Sequence, residues 1–102
     1  MGKRIIWQPK PIQQMRALEQ YFVEELGTIQ AYDAFLEKLE KKLSRISNYP
    51  ESGHYTGRTN IRYFNVDNHR SIFYRIWTDR LQIILLWDAR QYPQKNPFTP
   101  KR

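Results

Sequence analysis

The stretch that most constrains the fold runs from Ser71 to Tyr92 and reads SIFYRIWTDRLQIILLWDARQY. Two apolar runs, Ser71 to Trp77 and Leu81 to Trp87, flank the short polar separator Thr78-Asp79-Arg80. Both runs have the length of a strand and are rich in β-branched and aromatic residues. A short separator that contains Asp is typical of a tight hairpin turn. The sequence therefore predicts a β-hairpin, whose nearly continuous second run favours a position near the middle of a sheet, covered on both faces.

The second apolar run ends abruptly at Asp88-Ala89-Arg90-Gln91-Tyr92. Charged and aromatic side chains at the end of a central strand are a natural place for a functional site. We expect this end of the hairpin to contribute functional residues.

The first half of the chain carries one predicted strand and two predicted helices. The strand runs from Lys3 to Gln8, and prolines follow it. Apolar side chains then recur at helical spacing before and after the break at Gly27 (Met15, Leu18, Phe22, Leu26; Tyr32, Phe35, Leu36, Leu39, Leu43, Ile46). Amphipathic helices joined so closely form an antiparallel hairpin, and its apolar face needs a sheet to cover it.

The remaining segments complete an α+β fold. Residues 51–60 have the composition of a loop, Ile61 to Val66 is a further strand, and Asp67 to Arg70 is a turn. We expect an N-terminal strand, the helical hairpin and a three-strand antiparallel meander. The helices would lie on one sheet face, and the other face would present arginines to a partner. Residues 1–97 would form one domain, and residues 98–102 a mobile basic tail.

Charge and composition limit the possible functions. The 102 residues carry a formal net charge of +7, which favours nucleic acid, ribosomes or an acidic protein as partner. The absence of Cys excludes disulfides and thiol catalysis, and two isolated His residues give no basis for a metal or a cofactor. No run approaches the roughly 18 apolar residues of a membrane span, and the first residues lack the apolar core of a signal peptide. We therefore expect a cytoplasmic protein.

Four segments carry a resemblance to a known family: YPESG at 49–53, IRYF at 61–64, IFYRI at 72–76 and IILLWDARQYP at 83–93. With the order of elements over 3–97, they resemble the RelE/ParE superfamily, the toxins of bacterial type II toxin–antitoxin pairs, also known as plasmid stabilisation or addiction-module proteins. The resemblance implies growth inhibition. It also implies a heteromeric complex with a small antitoxin whose acidic C-terminal segment wraps over the toxin.

The resemblance leaves two activities open. RelE-like members enter the ribosome and cut mRNA, whereas ParE-like members poison DNA gyrase and are not nucleases. This chain lacks the Lys-rich loop of the nuclease branch, and Asp88 stands where that superfamily often has His. Whether the protein is an enzyme thus stays open, and a non-toxic basic module that binds nucleic acid or protein is the alternative.

If the chain is RelE-like, the resemblance and the chemistry of RNA cleavage assign five candidate catalytic residues: Arg62, Arg75, Arg90, Tyr92 and His54. Arginines can stabilise the charge that develops on the phosphate, and His54 can transfer protons. A structural interpretation stands beside this one. Arg62 and Arg75 could form ion pairs at strand edges, and Asp88 could pair with Arg90.

Overall fold

The computed structural model describes residues 2–90 and has the predicted α+β architecture. Tyr92 and the predicted tail at 98–102 lie outside the described residues. The elements follow the order β1 (Arg4–Trp7), α1 (Pro9–Glu24), α2 (Ile29–Asn48), a 3-10 turn (Pro50–Ser52), β2 (His54–Tyr55), β3 (Ile61–Asn65), β4 (Arg70–Ile76) and β5 (Arg80–Asp88). No helix within this range is long and apolar enough to cross a membrane.

The sheet is mixed and has five strands in the order β1-β5-β4-β3-β2. Strands β3, β4 and β5 pair antiparallel, whereas β1 pairs parallel with β5. The prediction of a three-strand antiparallel meander is therefore incomplete. It omitted β2, which lies within the predicted loop 51–60 and is held by pairing with β3. A parallel neighbour requires a long crossover, and the helical hairpin between β1 and the meander supplies it.

The helical hairpin reverses direction at Gly27, whose φ of 67° lies in the left-handed region that residues with a Cβ rarely adopt. Both helices then lay their apolar faces on one side of the sheet. Buried side chains from helices and strands form the main core there (Leu18, Phe22, Tyr32, Phe35, Leu39, Ile46, Phe64, Val66, Ile72, Tyr74, Leu81, Ile83, Leu86). We call this side of the sheet the helix face and the opposite side the far face.

A bulge in β5 explains why its apolar run does not alternate. Tyr74 pairs with Ile83 and Phe73 pairs with Leu85, which leaves Ile84 as the extra residue. The bulge reverses the alternation of the strand, so Ile83 and Leu86 both join the core on the helix face.

The far face is not the open, charged surface that the sequence predicted. Ile61, Phe73 and Leu85 are buried there in a second apolar cluster, with Tyr63, Ile84 and Trp87 packed against it. On this face of β5, Leu85 is buried, whereas Gln82, Ile84 and Trp87 are only partly buried, so the predicted cover on both faces is incomplete. The prediction of an arginine-presenting far face holds only for the end of the sheet beyond this cluster.

One buried hydroxyl joins the loop after α2 to the sheet. Tyr74 is 0% exposed, and its hydroxyl donates to the carbonyl oxygen of Pro50 (2.6 Å) and accepts from the N–H of Gly53 (3.1 Å). Burial raises the pKa of this hydroxyl, although the bond from Gly53 opposes the rise, so it remains a donor. A Cβ at Gly53 would collide with this hydroxyl. Two segments that carry the family resemblance, 49–53 and 72–76, are therefore partners in one structural contact.

We expect Tyr74→Phe to lower the free energy of unfolding by about 1–3 kcal/mol, because it leaves the buried N–H of Gly53 without an acceptor. Urea unfolding followed by circular dichroism measures the difference. The matched control is Tyr49→Phe, which removes the same atom from an exposed ring and should change stability by less than about 0.5 kcal/mol. Equal losses in the two variants would contradict the role of the Tyr74 hydroxyl.

Candidate functional site

Arg62 lies on β3 and takes part in a local structural contact. It pairs across the strands with Tyr74, so its side chain starts on the helix face. The guanidinium donates to the carbonyl oxygen of Gly53 (2.9 Å) and lies over the ring of Tyr55 (5.5 Å). Arg62 therefore holds β2 and the preceding turn against β3. Arg62 is therefore not one of the arginines on the uncovered side of the sheet.

Arg75 and His54 lie on the far face, on strands that are not neighbours. The guanidinium of Arg75 lies 5.6 Å from the centre of the Trp77 ring, and the imidazole of His54 packs 5.0 Å from the ring centre of Tyr63. Strand β3 separates the two residues, which places their backbones about 10 Å apart across the sheet. His54 and Arg75 thus share a face without sharing a site.

Arg90 is exposed just beyond the end of β5. Its backbone N–H donates to Oδ1 of Asp88 (2.9 Å), whereas the ion-pair partner of Asp88 is Arg70. The predicted pairing of Asp88 with Arg90 therefore occurs through the backbone and not through the guanidinium. Arg75 lies five residues beyond Arg70 along β4, roughly 17 Å from the end of the sheet that carries Arg90.

The structure does not bring the described candidate residues together in one cleft. Arg62 is on the helix face, Arg75 and His54 are on the far face, and Arg90 is at the end of the hairpin. Tyr92, the fifth candidate, lies outside the described residues. Within residues 2–90 no three His, Cys, Asp or Glu side chains are grouped to hold a metal ion.

Sequence reasoning missed Arg70, the most buried arginine of residues 2–90, and placed it in a turn. It is 5% exposed and begins β4. Its guanidinium lies between the carboxylates of Asp67 (3.0 Å) and Asp88 (3.4 Å) and above the rings of Phe22 (5.1 Å) and Phe35 (5.9 Å). The signal that could have revealed it is an Arg directly at the start of an apolar strand, with an Asp three residues earlier.

The carboxylate of Asp67 organises the turn that leads into Arg70. Its Oδ1 accepts from the backbone N–H groups of His69 and Arg70, both at 2.8 Å. Burial by itself raises the pKa of Asp67, but these bonds and the Arg70 guanidinium hold the pKa below its usual value. Because the pKa is lower in the folded state than in the unfolded state, the carboxylate stabilises the protein at pH values above its unfolded-state pKa. This stabilisation is lost as the pH falls through the folded-state pKa.

We expect Arg70→Met to lower the free energy of unfolding by about 3–5 kcal/mol, because it leaves two partly buried carboxylates next to each other without their cation. Urea denaturation at pH 7 gives the value. Arg90→Met is the matched control, since it removes an exposed guanidinium and leaves the backbone bond to Asp88 in place. If Arg70→Met is as stable as Arg90→Met, the guanidinium does not hold the two strand ends together.

The pH dependence of stability should identify the contribution of Asp67. Wild type should be more stable than Asp67→Asn at neutral pH, and the difference should shrink below about pH 4, where the unfolded carboxyl takes up its proton. Urea midpoints between pH 6 and pH 3 measure it. An Asn substitution at the exposed Asp33 should follow the wild-type curve. A difference between wild type and Asp67→Asn that does not change with pH would contradict the assignment.

Comparisons with known proteins point to one family. A sequence profile described as the ParE toxin of the type II toxin–antitoxin system parDE matches residues 5–93. No curated protein sequence matches the chain significantly.

Among solved structures, a chain from the chromosomal ParDE toxin–antitoxin system of P. aeruginosa superposes with a TM-score of 0.70. The superposition covers 85% of this chain and 96% of that chain at 12% sequence identity, so it establishes the fold alone. The family profile spans most of the chain, from within β1 to beyond the end of β5. The chain therefore belongs to the ParE toxin family of type II toxin–antitoxin systems.

Proposed function

We propose that this chain is a growth-inhibiting toxin that acts in the cytoplasm by binding DNA gyrase, without cleaving RNA. A cognate antitoxin, with an acidic C-terminal segment, neutralises it in a heteromeric complex. The observation that carries the proposal is the dispersal of the four candidate catalytic residues that the structure describes. Arg62 is on one sheet face, Arg75 and His54 are on the other, and Arg90 is at the end of the hairpin.

Cleavage of RNA through the 2′-hydroxyl needs a base, an acid and a cation around one phosphate. Arg62 is engaged by the Gly53 carbonyl, and His54 is separated from Arg75 by an intervening strand. A single phosphate cannot contact groups on both sides of a sheet. This geometry supports the ParE-like branch of the resemblance, in which the toxin binds a protein target.

Exposed aromatic and apolar side chains support a protein target. Tyr49 is 70% exposed and Tyr55 is 59% exposed, on either side of the 3-10 turn. Rigid aromatic rings on a surface are typical anchors of protein interfaces. A second exposed apolar group, Val23, Leu26 and Ile29, lies at the end of the helical hairpin. The molecule thus offers two surfaces, as a toxin that meets both a target and an antitoxin requires.

One observation favours the second candidate, a ribosome-dependent RNase. His54 is exposed on the far face, and Arg75 is on the same face. A ribosome could supply further catalytic groups, and the net charge of +7 suits a ribosomal partner. The two candidates differ in their product. A gyrase toxin changes the supercoiling of DNA, whereas an RNase shortens the mRNA.

We expect the purified chain to inhibit supercoiling of relaxed plasmid by gyrase, and to leave mRNA intact in a reconstituted translation system. Agarose gels and primer extension give the two readouts. Tyr49→Ala should weaken supercoiling inhibition by tenfold or more, as expected for an interface anchor. Lys38→Ala, on the exposed side of α2, is the control and should inhibit like wild type.

The outcomes separate the candidates. Cleaved mRNA with normal supercoiling would replace gyrase by the ribosome as target. Unaffected gyrase and intact mRNA, with harmless overexpression in several hosts, would identify a non-toxic binding module. Inhibited supercoiling that Tyr49→Ala leaves unchanged would keep gyrase as target and move the contact surface away from the 3-10 turn.

A further inference from the structure

We propose that one corner of the sheet binds the phosphate backbone of a nucleic-acid strand. The corner consists of Lys3, Arg4, Arg75, Trp77 and Arg80, and we call it the basic corner. This proposal goes beyond the function proposed above, because affinity for nucleic acid does not depend on whether gyrase is the target.

Strand register gathers the arginines of the basic corner on the far face. Arg4 of β1 pairs with Arg80 of β5, and register partners on adjacent strands point to the same side of a sheet. Arg75 of β4 pairs with Gln82, two residues after Arg80 and therefore also on that side. Arginines on three neighbouring strands thus share the far face, and the two outer strands are about 10 Å apart.

Trp77 fixes the middle of the basic corner. Its indole N–H donates to Oε1 of Gln82 (2.9 Å), and its ring lies 5.6 Å from the guanidinium of Arg75 and 5.0 Å from that of Arg80. The backbone carbonyl of Trp77 accepts from the ammonium of Lys3 (2.7 Å). Side chains that are already ordered lose less entropy when they bind a ligand. The basic corner is therefore organised before any ligand arrives.

Positive charge in the basic corner exceeds negative charge. Lys3, Arg4, Arg75 and Arg80 contribute four positive charges, against one negative charge from Asp79, which leaves +3. Asp79 pairs with Arg80 at 2.8 Å in an exposed position, where an ion pair is weak and readily exchanged. Within residues 2–90, the guanidinium of Arg75 contacts the Trp77 ring but forms no ion pair with a carboxylate.

The chemistry fits phosphates and bases better than an acidic peptide. A guanidinium that stacks on a ring keeps its N–H edge available, and this edge binds phosphate oxygens in pairs. The span of about 10 Å lets guanidinium groups on adjacent strands reach neighbouring phosphates of one nucleic-acid strand. Trp77 is 39% exposed, so part of its indole can also stack with an unpaired base. A carboxylate-rich peptide would bind the positive charges but would not stack on the indole ring of Trp77.

Fluorescence anisotropy with labelled 12-nucleotide probes tests the proposal on the full-length chain, produced by cell-free synthesis. Single-stranded DNA, single-stranded RNA and duplex DNA are compared between 50 and 200 mM salt. The double variant Arg75→Gln/Arg80→Gln should bind at least tenfold more weakly at 50 mM salt. Its log–log salt slope for a single strand should fall by about 1.4, because two phosphate contacts are lost.

The matched control is Lys38→Gln/Lys41→Gln, which removes the same charge from the exposed side of α2 and should bind within threefold of wild type. The conservative variant Arg75→Lys/Arg80→Lys should retain most of the salt slope while losing affinity. It tests the proposal even if the Gln variant does not fold. Trp77→Leu should weaken single strands more than duplex.

Three results would overturn the proposal. One is equal weakening by the basic-corner and α2 double variants, which would indicate attraction by net charge alone. Another is a poly-glutamate peptide that displaces the probe as well as an unlabelled oligonucleotide of equal charge, which would assign the corner to an acidic protein. The last is no measurable binding of any probe by wild type at 50 mM salt. Preference for RNA or for DNA among the probes would identify the strand.

Discussion

The two-residue period of β4, together with the bulge opposite it in β5, determines where nearly every important side chain lies. Arg70, Ile72, Tyr74 and Ile76 share one side of β4, and the helices cover that side. The intervening residues, among them Phe73 and Arg75, belong to the other side. Because successive side chains of a strand point to opposite faces of the sheet, every side chain of this segment lies on one face or the other.

The bulge at Ile84 brings Asp88 to the side of the sheet that holds Arg70. Without an extra residue, strict alternation from Leu81 and Ile83 would place Leu86 and Asp88 on the far face. With it, Leu86 enters the core and Asp88 comes beside the guanidinium of Arg70. Removing a carboxylate from a buried ion pair is strongly destabilising. The bulge therefore gives Arg70 a second carboxylate partner, in addition to Asp67.

Features that follow from local sequence pattern could be predicted, whereas the bulge and the strand register could not. Helices with apolar side chains at regular spacing, and strands such as β4 that combine β-branched and aromatic residues, follow from local pattern and were predicted correctly. A continuous run such as LQIILLW does not say where the alternation reverses. The two-residue strand His54–Tyr55 has no pattern of its own, since pairing with β3 is what extends it. The position of Arg62 on the helix face depends on register, which no local signal carries.

The arginines of this chain differ in role because they differ in the face they occupy. Arg62 and Arg70 are engaged by a carbonyl and by carboxylates on the helix face, where they bind parts of the fold to one another. Arg75 and Arg80 flank an exposed indole on the far face, where charge remains accessible. Adjacent residues of one strand thus differ in role, since Tyr74 bonds to the loop after α2 while Arg75 lies beside an exposed ring on the far face.

This division bears on the match to a ParDE chain at 12% identity and a TM-score of 0.70. Packing on the helix face requires only apolar side chains of suitable volume, a condition that many different sequences satisfy. Side chains exposed on the far face are not constrained by packing, so they can be exchanged without loss of the fold. The structural match consequently establishes the fold alone, and what the protein binds depends on its exposed side chains.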